Sequence, residues 1–254
     1  MPGLPKLRGS PRQVRVKILR FISNSRSGPG PACSGCFASA WLLECLRRSG
    51  VMPMFPPKRI LFPVDFSDRC AAAAPMVEAF ARRFQSELHV VHVTPPDAPD
   101  DPDDCADAKL VAFAARKEFQ GLCVYRQMFQ GDPAREIVKF AHDANFDLIT
   151  MPTHGYGVFR RFLLGSVTQK VLHDALCPVW TDAHTEALPS GREAKFRSVV
   201  CALDLSEKSC PTLRWAAQFA AATDARLLLV HAIPFVNSME APYVVHGLAA
   251  GACR

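Results

Sequence analysis

The stretch Met151-Pro-Thr-His-Gly-Tyr-Gly-Val-Phe-Arg-Arg-Phe-Leu-Leu-Gly-Ser-Val-Thr168 holds the residues best placed to do chemistry. An apolar run, Phe146-Asp-Leu-Ile-Thr-Met151, precedes it and reads as a buried strand. Gly165-Ser166 closes it and opens a helical pattern at Val167, Val171, Leu172 and Ala175. A strand, a glycine loop and a Gly-Ser helix start together build an anion site. Unpaired backbone N–H groups and the positive end of the helix dipole point at one place, and glycine lets a phosphate approach the main chain. No G-x-x-x-x-G-K-[ST] run occurs, and no paired carboxylates are spaced for two metals, so fast phosphoryl transfer is not expected. His154 has no triad partner placed by sequence and reads as a loop residue. The chemistry expected is binding, with at most slow hydrolysis.

The surrounding pattern alternates strands and helices. Ile60–Val64 reads as a strand, Ser67 and Asp68 as helix caps before an alanine-rich helix to about Phe84, and Leu88–Val93 as a second strand. Lys109–Phe119 reads as helix and Leu122–Met128 as strand. Pro133 suits the first helical position after Asp132, and a last strand follows Pro178. Between them, residues 97–107 carry six aspartates and two prolines and read as a solvated loop. This order predicts an α/β fold with an open, mostly parallel five-stranded sheet and helices on both faces. In such a sheet ligands bind beyond the carboxyl ends of the strands, which marks Pro63-Val64-Asp65, His92-Val93 and Met151-Pro152.

Those residues and spacings resemble the universal stress protein family. Its nucleotide signature is Gly, two residues, Gly, nine residues, Gly, then Ser or Thr; Gly155, Gly165 and Ser166 match it, and Pro152 stands where the first glycine would fall. Arg59-Ile-Leu-Phe-Pro-Val-Asp-Phe-Ser67, Val90-Val-His-Val93, Gln130-Gly-Asp-Pro133 and Cys177-Pro-Val-Trp180 are similar to its other segments. The resemblance covers about residues 57 to 182. It implies an adenine nucleotide alpha hydrolase-like fold holding ATP, with or without Mg, in a stress-response sensing module. Carried over, Pro63, Val64, Asp65 and Val93 lie at the adenine end and Met151 by the ribose. Gly155, Gly165, Ser166, Val167 and Thr168 lie at the phosphates. The rival reading is a member that binds no nucleotide and acts through homodimerisation or pairing of its own two copies. Proline lacks an N–H and has a fixed φ, so Pro152 weakens or alters binding.

A second copy follows. Shifting by 139 residues aligns 58–95 with 197–234 and brings eight identities together, among them Asp65/Asp204, Ser67/Ser206, Leu88/Leu227 and His92/His231. The domain reading is a basic extension over 1–55 (or a true start at Met52 or Met54), a full domain over 56–184 and a shortened second copy over 196–254. That second copy offers two strands, about Val199–Leu203 and Leu227–Ile233, and one helix, so one sheet face is expected to lie bare.

Of the 30 basic and 24 acidic residues, nine and one fall in 1–55, so 21 face 23 over the remainder. The folded part is near neutral, which argues against a nucleic-acid footprint. The longest early apolar run, 36–46, is too short for a bilayer, so a cytoplasmic protein without membrane contact is expected. The ten cysteines, most of them in apolar patterns, are expected to be reduced. Cys33 and Cys36 have a metal-knuckle spacing with no second pair beside it, so no metal site is assigned.

Overall fold

The computed structural model describes residues 16–23, 41–42, 44–45, 55–96, 105–153, 165–182 and 195–234. The chain divides into two compact units, residues 53–194 and residues 1–52 with 195–254. In chain order the strands are β1 Val16–Ser23, β2 Arg59–Pro63, β3 Glu87–Thr94, β4 Val124–Gln130, β5 Leu148–Pro152, β6 Val179–Asp182, β7 Ser198–Ala202 and β8 Arg226–Pro234. The helices are α1 Asp68–Phe84, α2 Ala106–Ala114, α3 Pro133–Asp143, α4 Ser166–Asp174 and α5 Ser209–Thr223, with a 3-10 turn at Lys117–Phe119.

In unit 53–194 five strands, all parallel, lie in the order β4-β3-β2-β5-β6. The chain runs outward from β2 through β3 to β4, then returns to β5 on the other side. The switch point therefore lies between β2 and β5, where a ligand crevice forms in open α/β sheets. Side chains alternate across the strands. Leu61, Val91, Val93, Ile149 and Met151 pack beneath α3 and α4. The opposite face carries Phe62, which meets Phe113 of α2, and Trp180, which meets Phe80 of α1.

Local chemistry sets the helix ends. Ser67 caps α1 by accepting from the Cys70 amide, and Gln85 ends it in a left-handed conformation. Asp132 caps α3, with Pro133 in the first turn. At the far end of the sheet from the crevice, buried Asp147 accepts from the amides of Lys58 and Arg59 at 2.8 and 3.0 Å and ties the starts of β2 and β5 together.

One element departs from expectation. The helix read over 109–119 stops at Ala114, and Arg116 is extended (φ −56, ψ 149). Six helical residues rotate a side chain by about 240°, so an unbroken helix would turn Phe113 and Phe119 to different faces. The break lets both rings reach Phe62, at 5.9 and 6.3 Å.

Buried His89 stacks on Tyr125 and meets Phe146 edge-on, with Gln127 and Glu87 near its nitrogens and Arg59 close by. Burial holds its imidazole below the ordinary His range. The unfolded chain therefore binds the proton more readily, so this contribution is complete above about pH 6.5 and is lost as pH falls below it. Melting temperature will drop between pH 7.5 and 5, and His89→Leu will flatten that slope. Equal slopes in both proteins would contradict this assignment.

In the second unit three parallel strands lie in the order β1-β8-β7. Helix α5 covers one face, with Cys201, Leu203, Leu213, Ala216, Ala220, Leu227 and Leu229 in the core and Trp41, Leu42 and Cys45 against it. On the other face Val200 is 62% exposed. Leu61, its counterpart under the 139-residue shift, is buried beneath α3 and α4.

Two features of this unit depart from the sequence reading. Residues 16–23 and 41–45, read as part of a bare basic extension, contribute a strand and core contacts. Their partners lie more than 150 residues along the chain, so no local signal marks them. Nor are all cysteines reduced: Cys45 and Cys210 form a disulfide, with Cα atoms 5.0 Å apart. Of the cysteines in apolar patterns, Cys70 and Cys201 lie in the interior and Cys123 is exposed.

Candidate functional site

The site forms where β2, β3 and β5 end. The Val64 amide donates to the Val91 carbonyl at 2.8 Å, carrying the pairing one residue beyond β2. His92 Nδ1 lies 2.8 Å from the Val64 carbonyl, so the imidazole joins the ends of β3 and β2. Asp65 turns the chain into α1: its Oδ1 accepts from the Ser67 amide and the Cys70 thiol, both at 3.0 Å. Burial, followed by the charge of Asp65, pushes the Cys70 thiol up to about 12, so sulfur stays protonated and donates. Asp65 itself is partly exposed.

Between them Phe66 adopts φ 61, a left-handed conformation uncommon for a bulky residue, and stacks on His92 at 4.4 Å. The same local geometry recurs in the second unit. Leu205 has φ 61, Ser206 donates its amide to Asp204, and His231 Nδ1 lies 2.8 Å from the Leu203 carbonyl.

Across the switch point, β5 ends at buried Met151 and Pro152. The Gly165 amide donates to the Thr153 carbonyl at 2.8 Å, bringing the start of α4 to the end of β5. Gly165 is the N-cap and offers no side chain to the first-turn amides of α4. Those donors are orphaned within the helix, and the dipole adds positive potential there.

The residues predicted from sequence divide by what they can reach. Asp65, Gly165, Ser166 and Val167 are at least partly exposed, whereas Pro63, Val64, Val93 and Met151 are buried. Thr168, read as a phosphate support, is buried and donates its hydroxyl to the Pro152 carbonyl at 3.0 Å. Its role is to fix α4 to β5. Gly155 and His154 lie outside the described residues. Sequence reading singled out neither Phe66 nor the bridging role of His92. The signal for the second was the His92/His231 coincidence in the repeat.

The family model described as "Universal stress protein family" matches residues 56–181 and again 195–250. The chain belongs to the universal stress protein family. A universal stress protein of Methanocaldococcus jannaschii is 31% identical over 135 residues, spanning 48% of this chain and 79% of that protein. One from Thermus aquaticus is 36% identical over 131 residues, 48% of this chain and 96% of that protein. Among solved structures, a universal stress protein from Archaeoglobus fulgidus matches with a TM-score of 0.57 at 26% identity, covering 70% of this chain and 68% of that one. As expected for a universal stress protein fold, the sheet of unit 53–194 is parallel and flanked by helices. No helix among the described residues is long and apolar enough to cross a membrane.

Proposed function

We propose that unit 53–194 binds an adenine nucleotide, ATP foremost, as a sensing module. The observation that carries this reading is the start of α4. An N-cap glycine without a side chain presents first-turn amides beside the end of β5, at the switch point of the sheet. Phosphates sit there, at Gly165, Ser166 and Val167, while Asp65 Oδ2 accepts from the base or sugar end above the floor of Val64, Val93 and Met151. Gly155 belongs to the same loop. Mg, where present, enters with the phosphates. Mass analysis of the nucleotide released from purified, denatured protein tests this; an adenine nucleotide is expected, and a protein free of nucleotide even after incubation with ATP would oppose it.

Pro152 favours a second reading, a module acting through protein contacts. It removes one backbone donor and adds bulk beside the sugar position. Its carbonyl stays engaged with Thr168, so Pro152→Gly keeps the strand-to-helix link while restoring an N–H. One hydrogen bond contributes about 1 kcal/mol, or roughly fivefold in affinity. Pro152→Gly will therefore tighten ATP binding a few-fold by calorimetric titration. Unchanged or weaker binding would show that this position does not face the ligand. In the second reading the edge strand β6 is the homodimer surface.

A further inference from the structure

The second unit is completed by a part of the chain far from it in sequence. Strand β1 pairs with β8 with Val16 opposite Leu227 and Ile22 opposite Ile233. In unit 53–194, β4 pairs with β3 with Val124 opposite Leu88 and Gln130 opposite Thr94. Leu88 and Leu227, like Thr94 and Ile233, are equivalent under the 139-residue shift. Strand β1 therefore takes, residue for residue, the register that β4 holds in the first copy. Cys45 lies in the cluster of Cys201, whose counterpart Phe62 meets Phe113 of α2. Residues 16–23 thus supply a third strand, and Trp41, Leu42 and Cys45 a cover, for the second copy.

Strand β1 pairs with β8 along all eight of its residues. Strand β1 is an edge strand with one neighbour. Among the described residues of the segment, Trp41, Leu42 and Cys45 pack on the core. The covalent tie is the Cys45–Cys210 disulfide, which bridges a separation of 165 residues with both cysteines buried, at 1% and 4% exposure. A crosslink across so long a loop strongly restricts the freedom of the chain it joins.

We propose that the Cys45–Cys210 disulfide is a redox-released clasp that holds β1 and residues 41–45 on the second unit. A dithiol reductant attacks one cysteine sulfur as its thiolate, forming a mixed disulfide and freeing the other cysteine. Its second thiol then attacks the reductant's own bound sulfur and expels the protein cysteine, leaving two protein thiols and an oxidised cyclic disulfide; two electrons and two protons pass to the protein. The oxidised dithiol reverses the exchange. Because both sulfurs are buried, attack follows a local opening of residues 41–45. With the tie cut, the segment leaves more readily and the β8 edge opens for pairing with another strand.

Hydrogen exchange read by mass spectrometry on the full chain tests this, oxidised and after dithiothreitol, with the state of Cys45 and Cys210 verified by alkylation. Reduction is expected to speed exchange in β1 and β8 at least tenfold while β2 and β5 stay protected. Cys45→Ser and Cys210→Ser should each show the fast pattern without reductant and no further response to it. Unchanged β8 exchange with the disulfide fully reduced would overturn the proposal. So would recovery of both cysteines as free thiols from protein treated with an excess of oxidised glutathione.

Discussion

Phe62→Ala will lower the stability of unit 53–194 by about 3–5 kcal/mol. Phe62 is completely buried in β2, the strand through which β3 and β5 are joined. Its ring is the meeting point of α2 and the following turn, through Phe113 and Phe119. Truncation leaves a cavity that neither neighbour can fill, because Phe113 is held by α2 and Phe119 by its backbone bond to Arg116. Against a total of about 5–15 kcal/mol for a domain, the loss is large. Urea unfolding followed by tryptophan fluorescence, with Trp180 in the same unit as reporter, will show a lower midpoint at unchanged slope. A loss under about 1 kcal/mol would mean that the aromatic cluster is not the core it is taken to be.

The second large effect is on binding. Gly165→Val will weaken ATP binding at least tenfold, about 1.4 kcal/mol or more. Gly165 has φ −60 and ψ 148, which any residue adopts, so the change brings little backbone strain. What it adds is a branched side chain at the N-cap, where the phosphates must approach the first-turn amides. Stability and affinity therefore separate: the melting temperature should move little while the dissociation constant rises. A variant that binds as tightly as wild type would remove α4 from the site.

Much of this was legible before any coordinates. The five-stranded parallel sheet followed from apolar runs of strand length alternating with capped helices, and Ser67, Asp132 and Gly165 mark helix starts in the sequence as in the structure. Strand ends shifted by a residue or two because register, not composition, decides where pairing stops. What escaped depends on contacts that sequence separation hides. The extended Arg116 exists because two phenylalanines must meet a third on β2. The β1–β8 pairing and the Cys45–Cys210 bond join opposite ends of the chain. Thr168 came to the phosphates through the family resemblance; its hydroxyl donates to the Pro152 carbonyl.

Equilibrium titration of the full chain with ATP, beside Gly165→Val, tests the central claim most directly. The account predicts saturable binding of one ATP to unit 53–194 that the variant loses by at least tenfold. No binding to wild type at millimolar ATP, or equal binding by both proteins, would contradict it.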